Sequence, residues 1–237
     1  MQNTTYILST RPLDQTIIEE AAANNIVIDM LSFIHTTPVD ADEVIQQVRA
    51  VALQETTVVF TSMNAVDAVT ALLDNERPWW SIYCIGDTTG KLVSGYFGEN
   101  TIAGTANSAV ALAAVIMLDG VKELVFFCGD QRRPELPATL KSNDVAVEEV
   151  IVYRTITTPH VVTKKYDGIL FFSPSAAESF FSANTADENT ILFAIGDTTA
   201  DTIKKFTNNP VITSVIPGKE VLAQQAIEYF KSVRALR

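Results

Sequence analysis

Two serines and two Gly-Asp-Thr-Thr turns are the residues of this chain best placed to do chemistry. Ser62 and Ser173 each follow a β-rich apolar run and precede a helical pattern. Each is therefore a natural N-cap whose hydroxyl accepts from a backbone N–H two or three residues on. Capping alone would account for both. A helix start at the carboxyl end of a strand also exposes several N–H donors, and α/β folds commonly hold anions there. Gly86-Asp87-Thr88-Thr89 and Gly196-Asp197-Thr198-Thr199 make the same offer, with glycine allowing a tight exit from the strand and Asp and Thr capping the helix. One such turn is a weak signal. Four, paired between the halves of the chain, point to a cleft with carboxylate-binding amides on both walls. Tyr153 and Arg154 end another strand-like run; a tyrosine half buried at a strand end is the plain reading, and a ligand-facing phenol the functional one. Arg11, Arg132 and Arg133 also follow strands and read equally as surface ion-pair residues or as ligand donors.

Other chemistries lack their signatures. There is no Gly-rich GxGxxG after the first strand, no Walker loop, no nucleophile elbow and no His/Cys/Asp cluster with metal-ligand spacing. His35 and His160 lie in short polar segments and read as solvated. Cys84 and Cys128 sit inside apolar strand-like runs, the setting of a buried reduced thiol. The net charge of −11, with Lys and Arg scattered, argues against nucleic acid or an anionic membrane as partner. A small anion remains admissible, because exposed charges are screened beyond roughly 8 Å at physiological salt. No basic residue precedes the short apolar run at 1–10, and the longest apolar stretch, 109–118, is too short to span a bilayer. The expected compartment is the cytoplasm.

The elements that must carry these residues alternate between β-rich runs and helical patterns, as in parallel βα units. Strands are predicted at 6–9, 26–34, 57–61, 82–85, 123–128, 145–154, 168–172, 191–195 and 211–213. A helix over 42–54 places Val44, Ile45, Val48, Val51 and Ala52 on one face, and the last helix does the same with Leu222, Ala226, Ile227, Phe230 and Val233. An internal repeat says more. Residues 58–66 read like 169–177 at an offset of 111, and 82–90 like 192–200 at an offset of 110. Ser9-Thr10-Arg11-Pro12 more weakly resembles Gln131-Arg132-Arg133-Pro134. Two halves of similar fold follow. His35-Thr36-Thr37-Pro38 and Thr157-Thr158-Pro159-His160 look like extended joints, each with a proline that disfavours helix. The expected domains are a composite lobe of residues 1–36 and 159–237 and a continuous lobe of residues 39–156, since a lobe ending near residue 36 is too small to fold alone.

Taken in order, these residues resemble uroporphyrinogen-III synthases. The resemblance runs through Leu8-Ser9-Thr10-Arg11-Pro12, Phe60 to Val66, Ile85 to Thr89, Gly129 with Arg133, Leu136 and Leu140, Val152 to Thr155, Phe172 to Ser175, and Ile195 to Ala200. Three places depart from the family pattern: Asn25 where a glycine is usual, Asp29-Met30-Leu31 without the usual proline, and Pro217-Gly218-Lys219-Glu220 where a Pro-Thr pair is common. The resemblance implies two flavodoxin-like parallel-sheet α/β lobes joined by a two-stranded linker, with the active site in the cleft between them. It also implies a lyase without cofactor or metal. The substrate would be hydroxymethylbilane, whose terminal hydroxyl leaves to give an azafulvene; ring D is inverted through a spiro intermediate before closure to uroporphyrinogen III. Tyr153 matches the proposed acid of the family. Arg11, Ser62, Asn64, Thr88, Thr89, Arg133, Ser173, Ser175, Thr198 and Thr199 are the expected substrate-binding residues. The expected protein partner is the preceding pathway enzyme, in transient contact. A non-catalytic two-lobed protein that closes on a small anion would account for the halves and the turns equally well; a flavodoxin-like regulatory or interaction domain is a second alternative, and it would show no closure on a substrate.

Overall fold

A computed structural model describes residues 4–216 and 218–235; Pro217, one of the departures from the family pattern, lies outside them. In chain order the elements are β1 (Thr5–Ser9), α1 (Gln15–Ala23), β2 (Ile26–Met30), β3 (Ile34–Pro38), α2 (Asp42–Ala52), β4 (Thr56–Phe60) and α3 (Met63–Leu73). They continue with β5 (Trp80–Ile85), α4 (Asp87–Phe97), β6 (Ile102–Ala106), α5 (Ala109–Leu118), β7 (Glu123–Gly129), α6 (Glu135–Lys141) and β8 (Ala146–Thr157). The last part holds β9 (Gly168–Phe171), α7 (Pro174–Phe181), β10 (Ile191–Ala194), α8 (Asp197–Ile203), β11 (Val211–Thr213) and α9 (Lys219–Ala235). Two compact units divide the chain, Met1–His35 with Ile156–Arg237, and Thr36–Thr155.

The composite unit is built on a five-stranded sheet of order β11-β10-β9-β1-β2, and the continuous unit on a six-stranded sheet of order β3-β8-β7-β4-β5-β6. Every pairing along β2-β1-β9-β10-β11 and along β8-β7-β4-β5-β6 is parallel. The sequence repeat maps β4 onto β9 and β5 onto β10. Extended by the weaker match of the segments after β1 and β7, it turns one strand order into the other. The two sheets share one spatial plan, and the chain enters it at different strands. Counted along the chain, the composite unit has the flavodoxin-like order 2-1-3-4-5, whereas the parallel strands of the continuous unit run 3-2-1-4-5.

Burial follows the same plan. Val58 and Phe60 of β4 point into a core with α2, α3 and α4, while Val59 points to the other face with α5 and α6. In the repeat, Ile169 and Phe171 of β9 face α7 and α8, while Leu170 faces α1 and α9. A strand buried on both faces reads as an unbroken apolar run, which is why these strands were visible in the sequence. Along α2, Val48 and Val51 are buried and Val44 and Ala52 packed at the edge, so the predicted stripe is the core face. The stripe of the last helix holds too, with Leu222, Ala226, Ile227 and Phe230 buried.

Three expectations change. The single strand expected over 26–34 is two strands in different sheets, β2 and β3, separated by the buried Phe33. An apolar run carries no mark of where a chain leaves one sheet for another. β6 was not anticipated; its Ile-Ala-Gly-Thr-Ala sequence has one large apolar residue, Ile102, and at Gly104 a Cβ would stand 2.9 Å from the Tyr83 ring. The helix expected to reach residue 54 stops at Ala52. Cys84 and Cys128 are buried free thiols, and burial raises both, Cys128 to about 11. Among the described residues no helix is long and apolar enough to cross a membrane.

Asn25, where the family has glycine, ends α1 with φ of 55°. This is the left-handed position that follows many helices, and asparagine is the residue that best tolerates it after glycine. Replacing Asn25 with valine is expected to cost about 1–2 kcal/mol; the urea unfolding midpoint of the variant would show it.

Candidate active site

In a parallel sheet all strands end on one edge. The candidate residues follow strand ends: Arg11 after β1, Ser62 after β4, Thr88 and Thr89 after β5, Arg133 after β7, Ser173 and Ser175 after β9, Thr198 and Thr199 after β10. Within each unit, the topology gathers them on the carboxyl edge, the edge where open α/β sheets bind ligands. Tyr153 lies in β8 opposite Gly129, the last residue of β7.

Tyr153 and Ser62 meet. The Ser62 hydroxyl donates to the Tyr153 phenol oxygen at 3.1 Å and accepts from the Ala65 N–H at 3.2 Å, so it caps α3 and holds the tyrosine at once. Ser62 follows β4 and Tyr153 lies in β8, strands separated by β7 and so about 10 Å apart at ordinary strand spacing. The phenol ring bridges that gap by lying across Gly129. A Cβ on Gly129 would stand 2.4 Å from Tyr153 Cζ and 2.7 Å from its hydroxyl. The register helps as well: Cys128 faces Ile151 but Gly129 faces Tyr153, so one extra residue of β8 is accommodated there. Asp130 locks this arrangement, its N–H donating to the Tyr153 carbonyl at 3.1 Å and its carboxylate accepting from the Thr155 N–H at 3.0 Å.

Asp130 was missed in the sequence. Its signal was there, since Gly129-Asp130 after β7 repeats the Gly-Asp pairs at 86–87 and 196–197. At those two pairs the structure corrects the expected capping. The N-cap positions are Gly86 and Gly196, and no side chain caps either helix. Asp87 and Asp197 are first-turn residues instead. Gly86 has φ of 79°, a left-handed conformation that favours glycine, whereas Gly196 at −179° is simply extended.

The other predicted residues separate by exposure. Thr88 and Thr198 are exposed, while Thr89 and Thr199 turn into the core at 6% and 1% exposure. Ser175 is buried too, its hydroxyl 3.2 Å from that of Ser173. For Thr89 and Ser175 the main chain is what remains to offer a ligand, whereas the Thr199 N–H already donates to the Gly196 carbonyl at 3.1 Å. Asn64 is exposed on the first turn of α3. Arg11 and Arg133 are exposed and make no ion pair among the described residues, whereas Arg132 pairs with Glu149 at 2.5 Å. Arg132 and Lys141 together hold the Glu149 carboxyl below its usual range against the opposing effect of burial. His35 and His160 are both exposed, and the His160 ring stands edge-on to Phe33. Among the described residues no group of three or more His, Cys, Asp or Glu is arranged to hold a metal ion.

A family model, described as uroporphyrinogen-III synthase HemD, matches residues 15–224. The chain belongs to the uroporphyrinogen-III synthase family. Comparison with curated protein sequences gives no match. Among solved structures, it is similar to a mutant uroporphyrinogen III synthase from the extremely thermophilic bacterium Thermus thermophilus. That likeness has a TM-score of 0.63 at 13% identity, over 98% of this chain and 99% of that one. The uroporphyrinogen-III synthetase of Helicobacter pylori matches with a TM-score of 0.65 at 15% identity, over 95% and 99% of the two chains. At such identities the structural likeness speaks for the fold, and the family model for the membership.

Because the Tyr153 ring occupies the space a Cβ would need, Gly129→Ala should displace the ring and break its bond to Ser62, at a cost of about 1–3 kcal/mol from overpacking. A crystal structure of the variant, with its urea unfolding curve, tests this; a ring still bonded to Ser62 would contradict it.

Proposed function

We propose that this chain converts hydroxymethylbilane to uroporphyrinogen III and water, as a hydro-lyase that uses Tyr153 as general acid and backbone amides as its grip on substrate carboxylates. Family membership supports the reaction. The observation that carries the mechanism is the Ser62–Tyr153 hydrogen bond formed across Gly129, on the ligand-binding edge of the sheet. A phenol held there carries an O–H that can donate to the departing hydroxyl of the bilane.

The family's substrate cyclises unaided to the unrearranged isomer, so the protein mainly has to fold the chain and direct attack. The helix starts do the folding. The open N–H groups after Gly86 and Gly196 meet no side-chain cap of their own, which leaves them for the acetate and propionate groups of the bilane. Ser62 and Ser173 cap α3 and α7, and so fix the direction of the remaining amides. The exposed Arg11, Asn64, Thr88, Arg133 and Thr198 add side-chain donors, and Thr89 and Ser175 contribute through the backbone. None of these steps calls on a cofactor. A non-catalytic anion-binding protein would leave the Ser62–Tyr153 pair without a task.

In an assay of the type III isomer against the spontaneous type I background, Tyr153→Phe is expected to lower kcat by about 100-fold, the low end for general acid catalysis, with KM little changed. Ser173→Ala should weaken only the cap of α7, by about 1 kcal/mol, and act mainly on KM. A fully active, folded Tyr153→Phe would remove the acid role. A folded Ser173→Ala with no activity would remove the amide grip.

A further inference from the structure

We propose that Ser62 acts through Tyr153 rather than on the substrate, as the donor that turns the phenol proton outward and steadies the phenoxide left after proton transfer. The inference rests on the reading of Tyr153 as the acid. A serine hydroxyl has one proton. At Ser62 that proton points to the Tyr153 oxygen, while the serine oxygen accepts from the Ala65 N–H. A phenol oxygen that accepts from Ser62 keeps its own O–H free to donate elsewhere.

The three groups form a polarised chain, Ala65 N–H to Ser62 to Tyr153, rooted in the first turn of the eleven-residue α3. The amino end of a helix favours negative charge, and hydrogen bonds in series strengthen one another. These donors are in place before the proton moves, so they need no rearrangement when charge develops. In the step itself, the Tyr153 O–H bond breaks and its proton joins the leaving hydroxyl. The C–O bond breaks with its electron pair going to oxygen, water departs, and the phenoxide stays bonded to Ser62. Ring closure later releases the proton of the attacked pyrrole carbon, which returns Tyr153 to the phenol. Water is the only product besides the macrocycle.

The internal repeat shows that a cap does not need this bond. Ser173 caps α7 with the same 3.2 Å contact, yet its hydroxyl lies beside Ser175 and no tyrosine. The phenol partner is particular to Ser62, and Gly129 is what lets it arrive.

The test uses the full chain, with Ser62→Ala, Ser62→Asp and Ser62→Thr made alone and together with Tyr153→Phe. Aspartate caps a helix as well as serine, so Ser62→Asp keeps α3 capped. It has no proton to give, however, and draws the phenol proton inward. Ser62→Ala is expected to lower kcat about 10-fold, the value of a lost hydrogen bond to a charged group, with KM unchanged. Ser62→Asp should lose at least as much, and Ser62→Thr should retain most of the activity. None of the three should slow Tyr153→Phe further. A fully active Ser62→Asp, a loss confined to KM, or losses that multiply with that of Tyr153→Phe would each overturn the inference while leaving the acid role intact. A fully active Tyr153→Phe would overturn both.

Discussion

The hydrogen bond from Ser62 to Tyr153 depends on a missing side chain between them. Strand spacing places β4 and β8 two steps apart, and a tyrosine on the outer strand reaches the inner one only by crossing the strand in the middle. Gly129 makes the crossing possible, and the register shift beside it brings Tyr153 level with the gap. Asp130 then ties the two strands together at Tyr153 and Thr155. Each of these features is minor alone. Together they fix one phenol at the start of α3, on the carboxyl edge of the sheet.

The duplicated architecture supplies the scaffold, and small departures from the duplication supply the specialisation. Both units bury their strands between corresponding helices, with α2 added on one face of the continuous unit, and corresponding residues of β4 and β9 face corresponding cores. The turns at Gly86 and Gly196 repeat even the order of exposed and buried positions, with the first threonine outward and the second inward. The capping serines do not stay equivalent. Ser62 holds a tyrosine, Ser173 a second serine. A fold that presents amides twice thus presents a phenol at one of the two capping serines that the repeat pairs.

Burial keeps other reactive groups out of the chemistry. The thiols of Cys84 and Cys128 lie within the sheet core, where desolvation disfavours the thiolate. Tyr83 has its hydroxyl bonded to the Asp119 carboxylate, and burial with that contact pushes it up to about 12. Tyr166 is likewise bound to Asp29. Both phenols spend their protons on a carboxylate, unlike Tyr153, whose oxygen accepts.

Hydrophobic pattern by itself determined most of the strands, the alternation of strands and helices, and the repeat, because a strand buried on both faces must be apolar along its length. Local chemistry determined the serine caps, which need only a hydroxyl at a strand-to-helix junction. What needed the tertiary structure were matters of which segments lie side by side. The apolar run at 26–34 could not show that it serves two sheets, and β6 could not announce itself with a glycine held at its centre by the Tyr83 ring. Thr89 and Thr199 looked like their exposed neighbours until helix rotation turned them inward. The same holds for the site. Tyr153, Ser62 and Gly129 were each legible as residues after or within strands, but their union depends on strand order and register across 91 residues of sequence separation, and contacts at such distances are fixed by packing rather than by any local preference of the chain.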